Sequence, residues 1–241
     1  RQFMEARGYP PGHVGKSNHD EYYKPPVYNF EMHTALFGDY DRWMELHDYY
    51  ASVWDKLLPD EGKTYGLRFT DEDYYVYITA HEYKHIVNSG TGLRSLLDRY
   101  VYLTHKEGLD MAYVERECEA MGIADFERAA RGLAMKVLAS NEIPLLEEHE
   151  RTLLESYLTS TTYGTMEQHV RNRMEGTDGR AKRRYLLERV FPPRSFYRQY
   201  APTAYRYPVL IPFVWCRRTV KILLFRRKKV KKEIQSVRNI H

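Results

Sequence analysis

The sequence predicts an α+β chain in three parts: a short strand region over 1–38, a mainly helical domain over 39–190, and a Pro-containing segment leading into a basic C-terminal helix over 191–241. Three observations predict it. "VYNFEMH" at 27–33 alternates, with Val27, Asn29, Glu31 and His33 on one side and Tyr28, Phe30 and Met32 on the other, the period of a strand. From residue 40 onward apolar side chains recur three and four apart between glycine breaks, the period of helices. From Arg217 onward ten Lys/Arg stand against one acid, Glu233, a net +9, whereas the other 27 basic and 32 acidic residues give the body −5.

Composition bounds the rest. A chain of 241 residues with 43% hydrophobic residues is long enough to bury a core, which excludes global disorder. The 22 tyrosines predict many half-buried positions with a polar tip. Cys118 and Cys216 are too few and too far apart for a disulfide framework, so a reducing, cytoplasmic setting is expected. No signal peptide is visible, and no run reaches the ~18 apolar residues of a membrane span.

Taken in order, "RQFMEARGY" reads as the last turns of a helix ending near Gly8. Arg1 is not an initiator methionine, so the chain is expected to be a fragment lacking an N-terminal part. Residues 20–37 read as two extended segments joined at Pro25-Pro26, tolerable at a hairpin edge. Helical spacing covers 40–58, and a loop with Gly62 and Gly66 follows. "TDED" at 70–73 reads as a capped helix start, and the helix runs to about Asn88. Its wheel buries Val76, Ala80, Tyr83 and Val87, and turns Tyr74, Tyr77, His81, Lys84, His85 and Asn88 to the other side. "SGTG" at 89–92 breaks the chain. The next helix, "LRSLLDRYVYL", is predicted to bury Leu93, Leu96, Leu97 and Val101, with Arg94 and Asp98 spaced i,i+4. Helices near 110–121, 123–139, 143–158 and 165–190 complete the body.

His81-Glu82-x-x-His85 spells a zinc-hydrolase signature, two imidazoles on one helix face with a Glu as general base. No third ligand follows in a familiar spacing, and Lys84 would set a cation beside Zn²⁺. Imidazoles and an ammonium on one face also suit an anion, and ordinary helical histidines remain a third reading.

"EDYYVYITAHEYKHIVNSGTGLRSLLDRYVYL", 72–103, resembles a bacterial family of nucleotidyltransferases in the polymerase-β-like superfamily, through His81, Lys84, His85, Gly90, Gly92, Leu93, Arg94, Leu96, Leu97 and Asp98. "VYNFEMHTALF" resembles that family's strand ending in an acid-x-His pair, here Glu31 and His33. "ARGY" and "FPPRSFYRQY" at 191–200 fit the same layout. The resemblance implies that the strand region is the remnant of a small mixed nucleotidyltransferase sheet. Its three carboxylates hold Mg²⁺, and a nucleotidyl group passes from an NTP to a hydroxyl acceptor: a small molecule, or a peptide or polysaccharide precursor. Glu31 matches the third carboxylate, as metal ligand or as base. His81, Lys84, His85 and Arg94 are then phosphate-binding residues, with His33 and Asp98 in support. Arg94 has an equal alternative, an ion pair with Asp98. For Glu31 the alternative is an exposed strand carboxylate, and Asn29 is expected to be plainly exposed. The family's paired carboxylates have no counterpart: "DED" at 71–73 opens a helix, and Asp39 and Asp41 follow the strand. The chain alone is therefore expected to be inactive. A non-catalytic anion-binding helical module is the alternative.

In the tail, Trp215, Ile222 and Phe225 recur at helical spacing, and nine cations lie between Arg217 and Lys232. Residues 211–232 thus suit peripheral contact with an anionic membrane more than nucleic-acid phosphates. For 207–225 the first reading is a C-terminal helix docked on the body with its charges in water, and 226–232 is then a solvated or peripheral-binding extension.

Overall fold

The computed structural model describes residues 1–15, 17–39, 44–139, 141, 142, 144–160, 187, 188, 190–225 and 230. Its architecture is α+β with a helical body. The chain divides into two compact units, one from the described residues of Arg1–Ser52 and Leu186–Arg227, the other from those of Val53–Tyr185 and Lys228–His241.

In the first unit a short helix, α1 (Gln2–Glu5), ends in a turn at Gly8, whose φ of 79° suits a residue without Cβ. Strands β1 (His19–Lys24) and β2 (Tyr28–His33) pair antiparallel in a hairpin around Pro25, Pro26 and Val27. The register sets His19 opposite His33, Glu21 opposite Glu31 and Tyr23 opposite Asn29. Segment 10–13 bonds to the free side of β1, with Gly12 N–H donating to the Glu21 carbonyl at 2.8 Å and Glu21 N–H to the His13 carbonyl at 2.9 Å. Gly12 is required there, because a Cβ would stand 2.2 Å from the Tyr23 ring. β1 buries Tyr22, while every residue of β2 is exposed.

The helix expected over 40–58 is shorter. Residues 40–43 lie outside the described residues, α2 spans Met44–Tyr49, and a 3₁₀ turn covers Val53–Lys56. The Tyr50 ring stacks on Phe37 at 5.1 Å and both are buried, a tertiary contact that outweighs weak helix propensity. Helices α8 (Arg194–Tyr200), α9 (Pro202–Arg206) and α10 (Ile211–Phe225) complete this unit. Trp215 of α10 stacks on Phe191 at 5.5 Å, whereas Phe213, Val220 and Leu224 are exposed.

The second unit is the helical body. After the short pair β3 (Leu58–Pro59) and β4 (Leu67–Arg68) come α3 (Asp71–Asn88), α4 (Leu93–His105), α5 (Met111–Ala120), α6 (Ala124–Leu138) and α7 (Glu148–Thr159). The helix expected over 165–190 falls outside the described residues but for 187, 188 and 190. Thr70 caps α3, its Oγ1 accepting from Asp73 N–H at 3.0 Å. The chain leaves α3 through Gly90, at φ 90°. α4 packs on α6 and α7, and α3 on α5; Leu96, Leu133, Ala134 and Tyr157 form a core cluster.

Two helix faces differ from expectation. On α3, Val76 and Ala80 are buried as expected, but so are Tyr75, Thr79 and Glu82, while Tyr83 and Val87 are only half-buried. On α4 the buried residues are Leu96 and Arg99, and Leu93, Leu97 and Val101 are 41%, 47% and 43% exposed. The reason is one polar network between the helices. Arg99 Nη1 donates to the Tyr75 hydroxyl at 2.7 Å and to Thr79 Oγ1 at 3.2 Å, and Nη2 donates to Glu82 Oε2 at 2.5 Å. Tyr75 donates to Glu127 Oε1 at 2.9 Å, which also accepts from Arg131 Nε at 2.8 Å. A buried polar group needs such partners, and once they exist they rotate each helix away from its purely apolar stripe.

Candidate functional site

The β hairpin of the first unit carries one polar face. His19, Glu21 and Tyr23 from β1 meet His33, Glu31 and Asn29 from β2, because side chains two apart share a face. One donor atom each from His19, Glu31 and His33 lies within 4.8 Å of the others, and no other set of three or more His, Cys, Asp or Glu among the described residues is so placed. The two imidazole centroids are 5.3 Å apart. Ser17 Oγ stands 3.3 Å from His19 Nδ1, and Asn18 Nδ2 stands 3.5 Å from His33 Nδ1. Glu21 is committed: the Tyr23 hydroxyl donates to its Oε2 at 2.5 Å, and His19 Nε2 lies 3.5 Å from its Oε1. The Tyr23 bond is the main cause that holds the Glu21 carboxyl below its ordinary range. Glu31 is exposed and makes no hydrogen bond or ion pair with the described residues. Asn29 is exposed, as expected.

A cleft of about 980 Å³ in the same unit is lined by His13, His19, Glu21 and Arg198 together with Phe37 and Pro202, among others. Arg198 Nη2 donates to the Asp39 carbonyl at 2.5 Å and lies 3.6 Å from Oδ2.

The other residues singled out in the sequence lie in the second unit. His81, Lys84 and His85 are half-buried on α3, and the two imidazole centroids are 4.6 Å apart. Burial lowers the Lys84 ammonium pKa, and burial followed by the Lys84 charge lowers that of His85. Arg94 and Asp98 are exposed on α4, with Nε 3.4 Å from Oδ2. The zinc-hydrolase reading of His81-Glu82-x-x-His85 does not fit. Glu82 points into the core, where Arg99 and Tyr157 bind both of its oxygens, so it cannot serve as a base beside the imidazoles. His81 and His85 belong to no three-ligand group among the described residues.

A family model described as an uncharacterised nucleotidyltransferase matches residues 1–139. The chain belongs to this family. No curated protein and no solved structure matches it. The matched region contains the whole hairpin face and helices α3 to α6. Sequence reasoning found Glu31 and His33 but missed His19 and Glu21. The hairpin itself was the available signal: two strands folding back at Pro25-Pro26 set residues summing to 52 opposite one another.

Mg²⁺, implied by the polymerase-β-like resemblance, takes oxygen ligands. On this face the exposed Glu31 carboxylate is the one oxygen donor of the three-residue group that could serve such an ion. The flanking imidazoles do not fit Mg²⁺.

Proposed function

We propose that the protein takes part in transfer of a nucleotidyl group from an NTP to a hydroxyl acceptor, whose oxygen bonds the α-phosphorus as pyrophosphate leaves, and that the Glu31 carboxylate would hold the Mg²⁺. The acceptor is a small molecule, or a peptide or polysaccharide precursor. When bound, the cation supplies neutralisation of the triphosphate and activation of the acceptor hydroxyl. The chain's own groups do the rest. Glu31 orients the metal-bound phosphate or accepts the hydroxyl proton. The cleft that His19 and Glu21 border offers these polar groups beside apolar wall to a bound ligand. On α3, Lys84 with His81 and His85 offers donors to an anion, and Arg94 has a planar fork for phosphate when it leaves Asp98. We place this activity in the cytoplasm, with 211–232 as a peripheral membrane contact. No described helix is long and apolar enough to cross a membrane.

One observation carries the proposal: Glu31, which the resemblance would make the third carboxylate, is exposed on a strand, and its side chain is in no hydrogen bond or ion pair among the described residues. A second reading, a non-catalytic nucleotide-binding module, is favoured by the described strands carrying no acid-x-acid pair. Calorimetric titration with a non-hydrolysable NTP tests the proposal. Mg²⁺-dependent binding should weaken in Glu31→Gln and in Lys84→Ala. Equal binding by both variants and the wild type would exclude each of these residues from nucleotide binding. NTP binding that needs no Mg²⁺ and is unchanged in Glu31→Gln would favour the second reading.

A further inference from the structure

The geometry points to His19, Glu31 and His33 as a three-ligand site for Zn²⁺, and not for Mg²⁺ alone. The site follows from the donor set and does not rest on nucleotidyl transfer. Two imidazole nitrogens beside one carboxylate oxygen suit Zn²⁺, whereas Mg²⁺ takes an all-oxygen shell and would use the carboxylate without the imidazoles. They converge because the hairpin register makes His19 and His33 direct cross-strand neighbours and places Glu31 two residues from His33 on the same face. Their donor atoms lie within 4.8 Å of one another. An ion at about 2.0–2.1 Å from each ligand joins donors up to about 4.2 Å apart. Glu31 and His33 are exposed, and rotation of their side chains closes that gap without moving the backbone.

Two further features agree. Ser17 Oγ beside His19 Nδ1, at 3.3 Å, can accept the Nδ1 proton, and a bound cation would then take the Nε2 lone pair in place of its 3.5 Å contact with Glu21 Oε1, with Ser17 as the outer-shell partner. Glu21 and Glu31 also stand directly opposite each other, a like-charge pairing that destabilises a hairpin unless a cation lies between or beside them. Three protein ligands leave the remaining positions open, as in sites where the ion meets water or substrate.

The test uses the full chain, freed of metal with a chelator. Zn²⁺ is titrated against a chromophoric competitor, and Co²⁺ is then substituted for its visible spectrum. The expected result is one Zn²⁺ per chain, undisturbed by a large excess of Mg²⁺. His19→Ala and His33→Ala should each weaken binding by about 100-fold or more, and Ser17→Ala by about 10-fold, within the usual outer-shell range. His33→Cys should keep the ion and add a thiolate-to-cobalt absorption band, a gain that misfolding cannot imitate. The proposal is overturned if Zn²⁺ binds no more tightly than Mg²⁺. It is equally overturned if the hairpin variants keep wild-type affinity, or if binding is lost in His81→Ala instead. Zn²⁺ binding without NTP binding would leave this site standing and remove the proposed function, and the opposite result would do the reverse.

Discussion

Arg99 and Glu82 form a buried ion pair between α4 and α3: Nη2 donates to Oε2 at 2.5 Å, with the side chains 1% and 5% exposed. Burial alone would push the guanidinium pKa down, but the Glu82 charge and the Tyr75 and Tyr157 hydroxyl groups outweigh it. The second oxygen of Glu82 accepts from Tyr157 at 2.6 Å, which draws α7 into the same network. The glutamate that spells a metalloprotease base thus holds three helices together.

Removing one partner of such a pair strands a charge away from water. Glu82→Ala is therefore expected to destabilise the protein by about 3–5 kcal/mol. Tyr157→Phe, which removes one hydrogen bond to a charged acceptor, should cost about 1.5–3 kcal/mol. Urea unfolding followed by circular dichroism measures both. Glu82→Ala within about 1 kcal/mol of the wild type would mean the network is not closed in solution.

Arg94 and Asp98 form the contrasting pair, 81% and 60% exposed at 3.4 Å. An exposed i,i+4 helix pair is worth about 0.3–0.5 kcal/mol, so Arg94→Ala should leave the urea midpoint almost unchanged. A fall in NTP affinity in that variant, with stability intact, would assign Arg94 to phosphate. Unchanged affinity would leave it to Asp98.

The local signals in the sequence carried far. Thr70 and Asp73 set the start of α3, Gly90 its end, and Pro25-Pro26 the hairpin. Helices α5, α6 and α7 lie within a few residues of their expected bounds, apart from the later start of α7 at Glu148. Periodicity failed where burial is polar. A wheel ranks Leu97 above Arg99 for the core, because no single helix shows that Glu82, Tyr75 and Thr79 wait on its neighbour. The candidate metal face failed halfway for a related reason. Glu31 and His33 are two apart in one strand, whereas His19 reaches them only through pairing across the turn.

Cys118 and Cys216 should differ in reactivity. Cys118 is fully buried in α5, and burial pushes its thiol up to about 12, while Cys216 is exposed. Thiolate is the reactive form. A thiol-specific reagent is therefore expected to titrate one group per native chain and two in denaturant. Rapid reaction of both in the native state would place Cys118 outside the core.

Stability should also depend on His85. Burial, and then the Lys84 charge, hold its imidazole below the ordinary 6.5, with His81 the other ring at its side, 4.6 Å away. The folded state therefore binds this proton less tightly than the unfolded one. Above about pH 6.5 both forms are neutral and His85 costs nothing. As pH falls below that value the unfolded chain takes the proton first, so stability declines until the folded group titrates too. Urea midpoints measured from about pH 8 to about pH 5 should fall in the wild type over the lower half of this range. His85→Gln should show a shallower fall. The same titration bears on anion binding, since protonation adds a charge to the face shared with Lys84. NTP affinity is expected to rise as pH drops below 6.5 in the wild type and not in His85→Gln. Parallel affinity curves for the two proteins would separate His85 from any bound phosphate.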